Sequence, residues 1–218
     1  MATIINHHKT TTYTAYDVTC FGHRVRTIVT SCATVVTSWI NHIKSNNTQP
    51  LIVGLDTEWL NPIATLQLCV GPNCLIYQLI HSPCIPSTLE DFLRDPHCKF
   101  SGVGIAGDSK RLERDYDLRL ECMVDVSKVA AEMEKARPNA GLKEVAMKVL
   151  GWEMEKCKEI TLSKWDKEVL DKRQVLYACI DAFVSYHIGK ELVIGGHNCV
   201  VDDTIDHKVF REIGYSCW

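Results

Sequence analysis

The sequence predicts an α/β domain built on a mixed β-sheet. Three apolar runs follow one another between residues 51 and 80, and Gly71-Pro72-Asn73 separates the last two, which is the pattern of an antiparallel meander. A fourth apolar run, 99–104, stands between segments with helical spacing. Helical patterns then dominate the second half of the chain, so strands and helices are expected to share one layered domain.

Each element of this prediction rests on a local pattern. Residues 13–30 are rich in threonine, valine and tyrosine around Phe21-Gly22-His23, which predicts a β-hairpin. Apolar residues recur from 33 to 44 with the spacing of a helix that buries one face. The strands are predicted at 51–56, 64–70, 74–80 and 99–104, and the later helices at 88–94, 109–116, 126–135, 142–150 and 172–192. The last stretch, 194–218, shows no firm pattern.

Composition limits the classes of protein that fit. The 218 residues are 46% apolar and 23% charged, enough to bury the core of one globular domain. No apolar run approaches the roughly 18 residues of a membrane span, and the N-terminus lacks the features of a secretory signal. We therefore expect a cytoplasmic or nuclear protein with no membrane partner. The net charge of −3 offers no bulk attraction for nucleic acid, so a local site must hold any such partner.

The cysteines number eleven and contain no C-x-x-C pair. An odd count without paired spacing argues against a disulfide framework and against a structural zinc site. We interpret them as small buried residues.

The first candidate site lies where the strand at 51–56 ends. Asp56 and Glu58 are two residues apart, and side chains at i and i+2 of an extended chain project from the same face. Like charges placed side by side need a reason, and metal binding would supply one. The alternative is a solvated strand end, which is the more common origin of such a pair.

Two further patterns place acidic groups on later elements. Asp108 follows the strand at 99–104, just past its carboxyl end, where sites in α/β proteins concentrate. It is either a site residue or an N-cap or first-turn aspartate. Tyr177 and Asp181 lie at i and i+4 of the predicted helix 172–192, so the phenol and the carboxylate point the same way. The alternative there is a core tyrosine with an aspartate at the edge of the core.

Together these patterns resemble the signature of the DnaQ-like 3′-5′ exonucleases. Residues 56–59 read DTEW, residues 103–108 read VGIAGD and residues 177–182 read YACIDA, in the order of the family's three motifs. Residues 162–165, LSKW, match the L-S-x-W segment before the last motif. Leu176 stands where the histidine subtype needs its histidine, so the tyrosine subtype, DEDDy, is the one indicated. The Werner-syndrome exonuclease branch, in its plant members, is the part of the family that the chain resembles.

This resemblance covers about residues 50–192 and implies a fold. The expected fold is RNase-H-like, with helices on both faces of the mixed sheet and a hairpin at the N-terminus. We expect one exonuclease domain over residues 1–218, in which the hairpin and helix of 13–45 precede the shared core and a tail, 194–218, follows it.

The resemblance also implies roles for the site residues. Two Mg²⁺ ions, which Mn²⁺ can replace, stabilise the attacking and leaving oxygens of a phosphodiester, and such hard cations take oxygen ligands. By the family pattern, Asp56 bridges both ions, Glu58 and Asp181 hold the ion that activates water, and Asp108 supports the other ion through water. A phenol with a pKa near 10 is a poor general base at neutral pH, so Tyr177 is expected to orient the attacking water.

Substrate contacts are predicted on both sides of the site. Trp59 and Leu60 follow the acidic pair directly, and they either stack against the 3′-terminal base or pack at the edge of the sheet. Four basic residues flank the last motif: Lys164, Lys167, Lys172 and Arg173. These four either meet the phosphate backbone or form a solvated face.

The expected function is removal of nucleotides from the 3′ end of a single strand. RNA is favoured because the plant relatives that the chain resembles, the RISC-interacting clearing exoribonucleases, act on RNA. They also imply a homo-oligomeric ring, such as a hexamer, and an association with Argonaute in RISC. The alternatives are a DNA exonuclease and an RNase-H-like assembly module that has lost turnover. All five site residues are present, which favours the enzyme. An aspartic protease is discarded, because residue 58 is glutamate and its D-T-G motif has no second copy.

Overall fold

The computed structural model describes residues 2–47, 50–59, 61–155 and 157–193. Its strands are β1 Thr3–Lys9, β2 Thr14–Cys20, β3 His23–Thr30, β4 Leu51–Trp59, β5 Ile63–Val70, β6 Asn73–Tyr77, β7 Cys98–Gly102 and β8 Met123–Asp125. Its helices are α1 Ala33–Asn46, α2 Ser87–Leu93, α3 Ile105–Tyr116, α4 Val126–Glu132, α5 Leu142–Leu150, α6 Lys158–Thr161 and α7 Lys172–Val193. A 3₁₀ turn covers Leu79–His81.

The strands form one mixed sheet in the order β1-β2-β3-β6-β5-β4-β7-β8. The pairs β1–β2, β2–β3, β4–β5 and β5–β6 are antiparallel, whereas β3–β6, β4–β7 and β7–β8 are parallel. The predicted hairpin and the predicted meander are therefore confirmed. Because β4 and β7 run parallel, their carboxyl ends meet at one edge of the sheet.

Helices cover both faces of this sheet, as expected for an RNase-H-like fold. Alternation along β4 directs Val53 and Leu55 into a core that α1, α2 and α3 complete on one face. Ile52 points to the other face, into a core that α4, α5 and α7 complete with residues such as Val184 and Ile188. No helix in the described ranges is both long and apolar enough to cross a bilayer.

The differences from the predicted elements have local causes. Strand β1 was not predicted, because its residues are mostly exposed at the sheet edge and carry no alternation. Strand β8 and helix α6 are only three and four residues long, too short to give a pattern. Gly104 has a positive φ of 69° at the N-cap of α3, so β7 ends earlier and α3 begins earlier than predicted.

Helix α7 lies unusually close to the sheet at Gly54 of β4. A Cβ atom at this position would overlap the carbonyl of Ala182 and the amide of Tyr186. The helix is fixed again at β7, where Ser101 donates a hydrogen bond from its hydroxyl to the Ser185 carbonyl at 2.9 Å. The absence of a side chain at Gly54 therefore sets the distance between α7 and β4.

An aromatic cluster fastens the β2–β3 turn to α7. Trp152 stacks against Phe21 of that turn, with ring centroids 4.5 Å apart, and against Phe183 of α7 at 5.9 Å. His187 contacts Phe183 at 4.4 Å and His23 at 5.2 Å. Such ring pairs stabilise a contact beyond the apolar area that they bury.

The interpretation of the cysteines as small buried residues is confirmed in part. Eight cysteines of the described residues are free, and five of these are buried: Cys20, Cys69, Cys74, Cys98 and Cys179. Cys84 is exposed, and Cys32 and Cys157 are half-buried.

Candidate active site

The end of β4 carries the first two carboxylates of the site. Asp56 and Glu58 occupy alternate positions of the strand and share one face, whereas Thr57 between them points to the opposite side. Helix α7 crosses that face and adds Asp181. Ligand oxygens of Asp56, Glu58 and Asp181 all lie within 4.8 Å of one another. Glu58 and Asp181 are 7% and 5% exposed, so this cluster of three carboxylates, the acidic cluster, is largely removed from solvent.

Burial and the charges of its neighbours raise the pKa of one member of the acidic cluster. The pKa of Asp56 is raised well above 3.8, first by burial and then by the charges of Asp181, Glu58 and Asp108. No positive charge is among these causes. Buried carboxylates that crowd together in this way are a favourable place for a divalent ion.

The donor set of the cluster fits a hard cation. All of its candidate ligand atoms are carboxylate oxygens, which suit Mg²⁺ and Mn²⁺ rather than softer metals. Their mutual distances are short enough for one ion to contact several of them. Residues Asp56, Glu58 and Asp181 are therefore the side chains that could hold metal ions.

Asp108 lies at the edge of this cluster rather than within it. It belongs to the first turn of α3, whose N-cap is Gly104, so the N-cap alternative is wrong and the first-turn description is correct. Thr57 donates a hydrogen bond from its hydroxyl to Asp108 Oδ1 at 2.7 Å. Burial raises the pKa of Asp108, while the bond from Thr57 and the charge of Arg111 oppose that rise. Asp108 is thus held by the protein itself, close enough to raise the pKa of Asp56.

Tyr177 lies one helical turn before Asp181 on α7. Burial is the largest cause that raises the pKa of its phenol, followed by the charge of Asp181, and Glu58 and a hydrogen bond with Asp181 add to it. The hydroxyl of Thr161 donates to the Tyr177 oxygen at 3.3 Å. With a pKa raised above 10, the phenol stays protonated at neutral pH. The side chain can orient a ligand by hydrogen bonding, and it cannot act as a base there.

The LSKW segment, residues 162–165, supports Tyr177 indirectly, through Thr161. Trp165 is 1% exposed and donates from its indole nitrogen to the Thr161 carbonyl at 3.4 Å. The buried Gln174 of α7 donates to the Lys164 carbonyl and to the Ser163 hydroxyl, both at 2.9 Å. These contacts place Thr161 beside Tyr177. The LSKW motif is therefore a structural support for Tyr177.

The predicted substrate residues occupy different surroundings. Trp59 is 51% exposed, so it is not a core residue, and the guanidinium carbon of Arg111 lies 3.9 Å from its ring centroid. Leu60 lies outside the described residues. Among the four basic residues near the last motif, Lys167 pairs with Asp171 at 3.3 Å and Arg173 with Glu159 at 3.7 Å. All four are exposed, which is compatible with both alternatives.

Sequence reasoning missed the residues that support the site. Thr57, Thr161 and Gln174 each hold a site residue or its neighbour through a hydrogen bond. The position of Thr57 inside the D-T-E motif was the one available signal, because its side chain must point away from both carboxylates. Arg111 carried no signal beyond its spacing of three residues from Asp108.

The mixed sheet, its two helical layers and the carboxylates at the end of β4 define a nuclease-like RNase-H fold. Residues 27–193 match the family model described as 3′-5′ exonuclease, and the chain belongs to this family. The resemblance to DnaQ-like exonucleases of the Werner type is confirmed by the relatives described next.

Two relatives and one solved structure illustrate the family. Over 150 residues, the chain is 33% identical to the mouse bifunctional 3′-5′ exonuclease/ATP-dependent helicase WRN, which covers 65% of this chain and 11% of that protein. It is also 33% identical over 150 residues to a 3′-5′ exonuclease of Arabidopsis thaliana, with coverages of 64% and 52%. The chain thus spans about half of that plant relative. Escherichia coli RNase D superposes with a TM-score of 0.67 at 16% identity over 78% of this chain and 45% of its own, which shows the shared fold.

Proposed function

We propose that this protein is a metal-dependent 3′-5′ exonuclease that hydrolyses the terminal phosphodiester of single-stranded nucleic acid, with RNA as the favoured substrate. The observation that carries the proposal is the acidic cluster, in which Asp56, Glu58 and Asp181 come within 4.8 Å of one another. Membership of the 3′-5′ exonuclease family supports the direction of hydrolysis.

The bond changes are those of hydrolysis. A water oxygen attacks the phosphorus of the last phosphodiester, and the bond from phosphorus to the 3′-oxygen of the penultimate nucleotide breaks. The attacking water releases a proton to solvent and the leaving oxygen takes one up, so the products are a nucleoside 5′-monophosphate and a strand with a new 3′-hydroxyl. Two bound divalent cations would supply neutralisation of the charge on the attacking and leaving oxygens and a lower pKa for the attacking water.

The family pattern divides this work among the side chains. Asp56, at the centre of the acidic cluster, would contact both cations, while Glu58 and Asp181 would hold the one beside the attacking water. Asp108 would support the second cation through water, since Thr57 fixes its carboxylate at the edge of the cluster. The protonated Tyr177 would orient the attacking water from the α7 side, where Thr161 supports its oxygen.

The finer parts of the proposal rest on the resemblance alone. They are the preference for RNA, a homo-oligomeric ring, an association with Argonaute in RISC and a location in the cytoplasm. The single exonuclease domain over residues 1–218 is likewise a proposal. Trp59 is proposed as the platform for the 3′-terminal base, because half of its side chain is exposed beside Glu58.

A degradation assay on matched RNA and DNA oligomers tests this proposal. We expect Mg²⁺- or Mn²⁺-dependent shortening of a 5′-labelled single strand from its 3′ end, no shortening in EDTA, and faster turnover of RNA. Asp56→Ala should abolish the activity while its circular dichroism spectrum matches that of the parent. Equal digestion by the parent and by this variant would overturn the assignment. Faster digestion of DNA would make the protein a DNA exonuclease instead.

A further inference from the structure

We infer that Arg111 is a substrate-binding residue that contacts a phosphate of the nucleic-acid strand beside the acidic cluster. The inference rests on the proposed nuclease function, and it assigns the residue that receives the polyanion. The geometric basis is the stack between Arg111 of α3 and Trp59 at the end of β4, in which the guanidinium carbon lies 3.9 Å from the ring centroid.

The position of Arg111 relates it directly to the site. It lies three residues after Asp108 on α3, so both side chains project from the same face of the helix. Its ring partner, Trp59, follows Glu58 of the acidic cluster. The stack therefore joins β4, whose carboxyl end carries Glu58, to α3, whose first turn carries Asp108. A strand whose terminal phosphodiester reached the cluster would pass this stack.

The charge around the site calls for a cation at this point. The acidic cluster and Asp108 together place four carboxylates in the path of a negatively charged strand. Arg111 is the positive group that acts on Asp108 and opposes the rise in its pKa. It also acts on Asp115, but none of the ion pairs within 4.0 Å among the described residues involves its guanidinium. Arg114, three residues further along α3, is by contrast bound to Asp115 at 2.6 Å.

The stack also defines which chemistry Arg111 can recognise. A guanidinium whose carbon lies over an indole ring still offers N–H donors, and a pair of such donors matches two non-bridging oxygens of a phosphate. The stacking restricts the rotamers of the side chain, so less entropy is lost when a phosphate binds. Trp59 remains 51% exposed, which leaves ring surface for a base. Arg111 and Trp59 together form a site for one nucleotide unit, the phosphate on the arginine and the base on the tryptophan.

Binding under conditions that prevent turnover tests the inference. The probe is a 5′-fluorescein-labelled single-stranded RNA oligomer in EDTA, and Kd is measured by anisotropy at several KCl concentrations for Arg111→Ala, Arg111→Lys and the parent. We expect Arg111→Ala to weaken binding about tenfold, the loss of one charge-assisted contact, and to lower the slope of log Kd against log [KCl] by about 0.7, one phosphate contact on a single strand. Arg111→Lys should restore the slope and only part of the affinity, because a lysine keeps the charge without the planar stack.

Arg119→Ala serves as the matched control. Arg119 is exposed beyond the end of α3, where it pairs with Glu113 at 3.0 Å, and its loss changes the net charge by the same amount. We expect its Kd and salt slope to equal those of the parent. Thermal unfolding of all variants verifies that each is folded at the assay temperature. In turnover assays with Mg²⁺, Arg111→Ala should raise KM about tenfold and leave kcat within about twofold.

Each outcome has one meaning. Parent-like affinity and slope for a folded Arg111→Ala would overturn the inference, as would equal weakening by Arg119→Ala, which would reduce the effect to bulk charge. If the parent binds RNA through Arg111 but shows no metal-dependent hydrolysis, the proposed enzymatic function fails and the inference stands. If the parent hydrolyses RNA and Arg111→Ala leaves KM unchanged, the inference fails and the function stands.

Discussion

Helix α7 buries ionisable groups in two neighbouring stretches, and it treats them in opposite ways. At Tyr177 and Asp181, like charges crowd together and the pKa of the nearby Asp56 is raised. Less than two turns later, burial lowers the pKa of His187 to about 4, with further contributions from His23 and Lys190, so the imidazole is neutral at physiological pH. The first stretch crowds carboxylates whose repulsion bound cations would relieve, whereas the second loses its charge without any ligand. The comparison separates a site from a structural contact.

The largest expected effect comes from removing one charge of the acidic cluster. Asp181→Asn keeps the size of the side chain but deletes a proposed metal ligand, so we expect kcat to fall by about 10³-fold or more. The unfolding temperature in EDTA should not fall, because one repulsive charge is gone. Mg²⁺ should raise the unfolding temperature of the parent and have little effect on the variant. Thermal unfolding with and without Mg²⁺, together with single-turnover rates, checks this prediction, and a variant with parent-like rates would break the comparison.

Tyr177→Phe should have the next largest effect. The variant removes the hydroxyl that is proposed to orient water and leaves the carboxylates in place, so kcat should fall by about 10²-fold. The Mg²⁺ concentration for half-maximal activity should stay within about twofold, because a phenol is not a cation ligand here. A metal titration of activity measures both quantities. A large rise in the metal requirement with little loss of kcat would contradict the assigned role.

Trp152→Ala tests the structural stretch. Removing a half-buried indole from its stack with Phe21 and Phe183 should lower the free energy of unfolding by about 3 kcal/mol. Turnover per folded molecule should be nearly unchanged, because Trp152 holds the β2–β3 turn and not the carboxylates. Urea denaturation gives the stability and an assay at low temperature gives the rate. Loss of activity without loss of stability would show that the aromatic cluster around Trp152 contributes to the active site.

His187 gives the smallest effect and the one that depends on pH. Its pKa falls from 6.5 in the unfolded chain to about 4 in the folded protein, so its favourable contribution is complete above 6.5 and is lost as the pH falls toward 4. His187→Phe should therefore weaken the loss of stability between pH 6.5 and pH 4 relative to the parent. Urea denaturation of both proteins across this range measures the difference. Identical pH profiles would mean that the imidazole is not buried in its neutral form.

The sequence anticipated the architecture better than the support of the site. Spacing alone placed Asp56 and Glu58 on one face of a strand and Tyr177 beside Asp181, because residues two apart on a strand and four apart on a helix have fixed relations. The meeting of Asp181 with β4 could not be read from spacing, since it depends on how α7 packs across the sheet. Strand β1 escaped prediction because an exposed edge strand carries no apolar alternation.

The hydrogen bond from Thr57 to Asp108 and the stack of Arg111 on Trp59 were out of reach for a related reason. Both join residues about fifty positions apart through side chains whose types are common on any surface. Only the parallel pairing of β4 with β7, followed by the turn at Gly104, brings them together. These two contacts could be identified only in the three-dimensional structure, whereas the carboxylates were predicted from their order along the chain.

Because Gly54 has no side chain, contacts between main-chain atoms set the distance between α7 and β4 near the acidic cluster. Main-chain atoms have no rotamers, so the distance between α7 and β4 cannot adjust by a change of side-chain conformation. The distance from Asp181 to Asp56 and Glu58 is therefore fixed by the secondary structure. Even the smallest added methyl at that position would act as a wedge under the helix. It would move Asp181 away from Asp56 and Glu58 although all three carboxylates would still be present in the sequence.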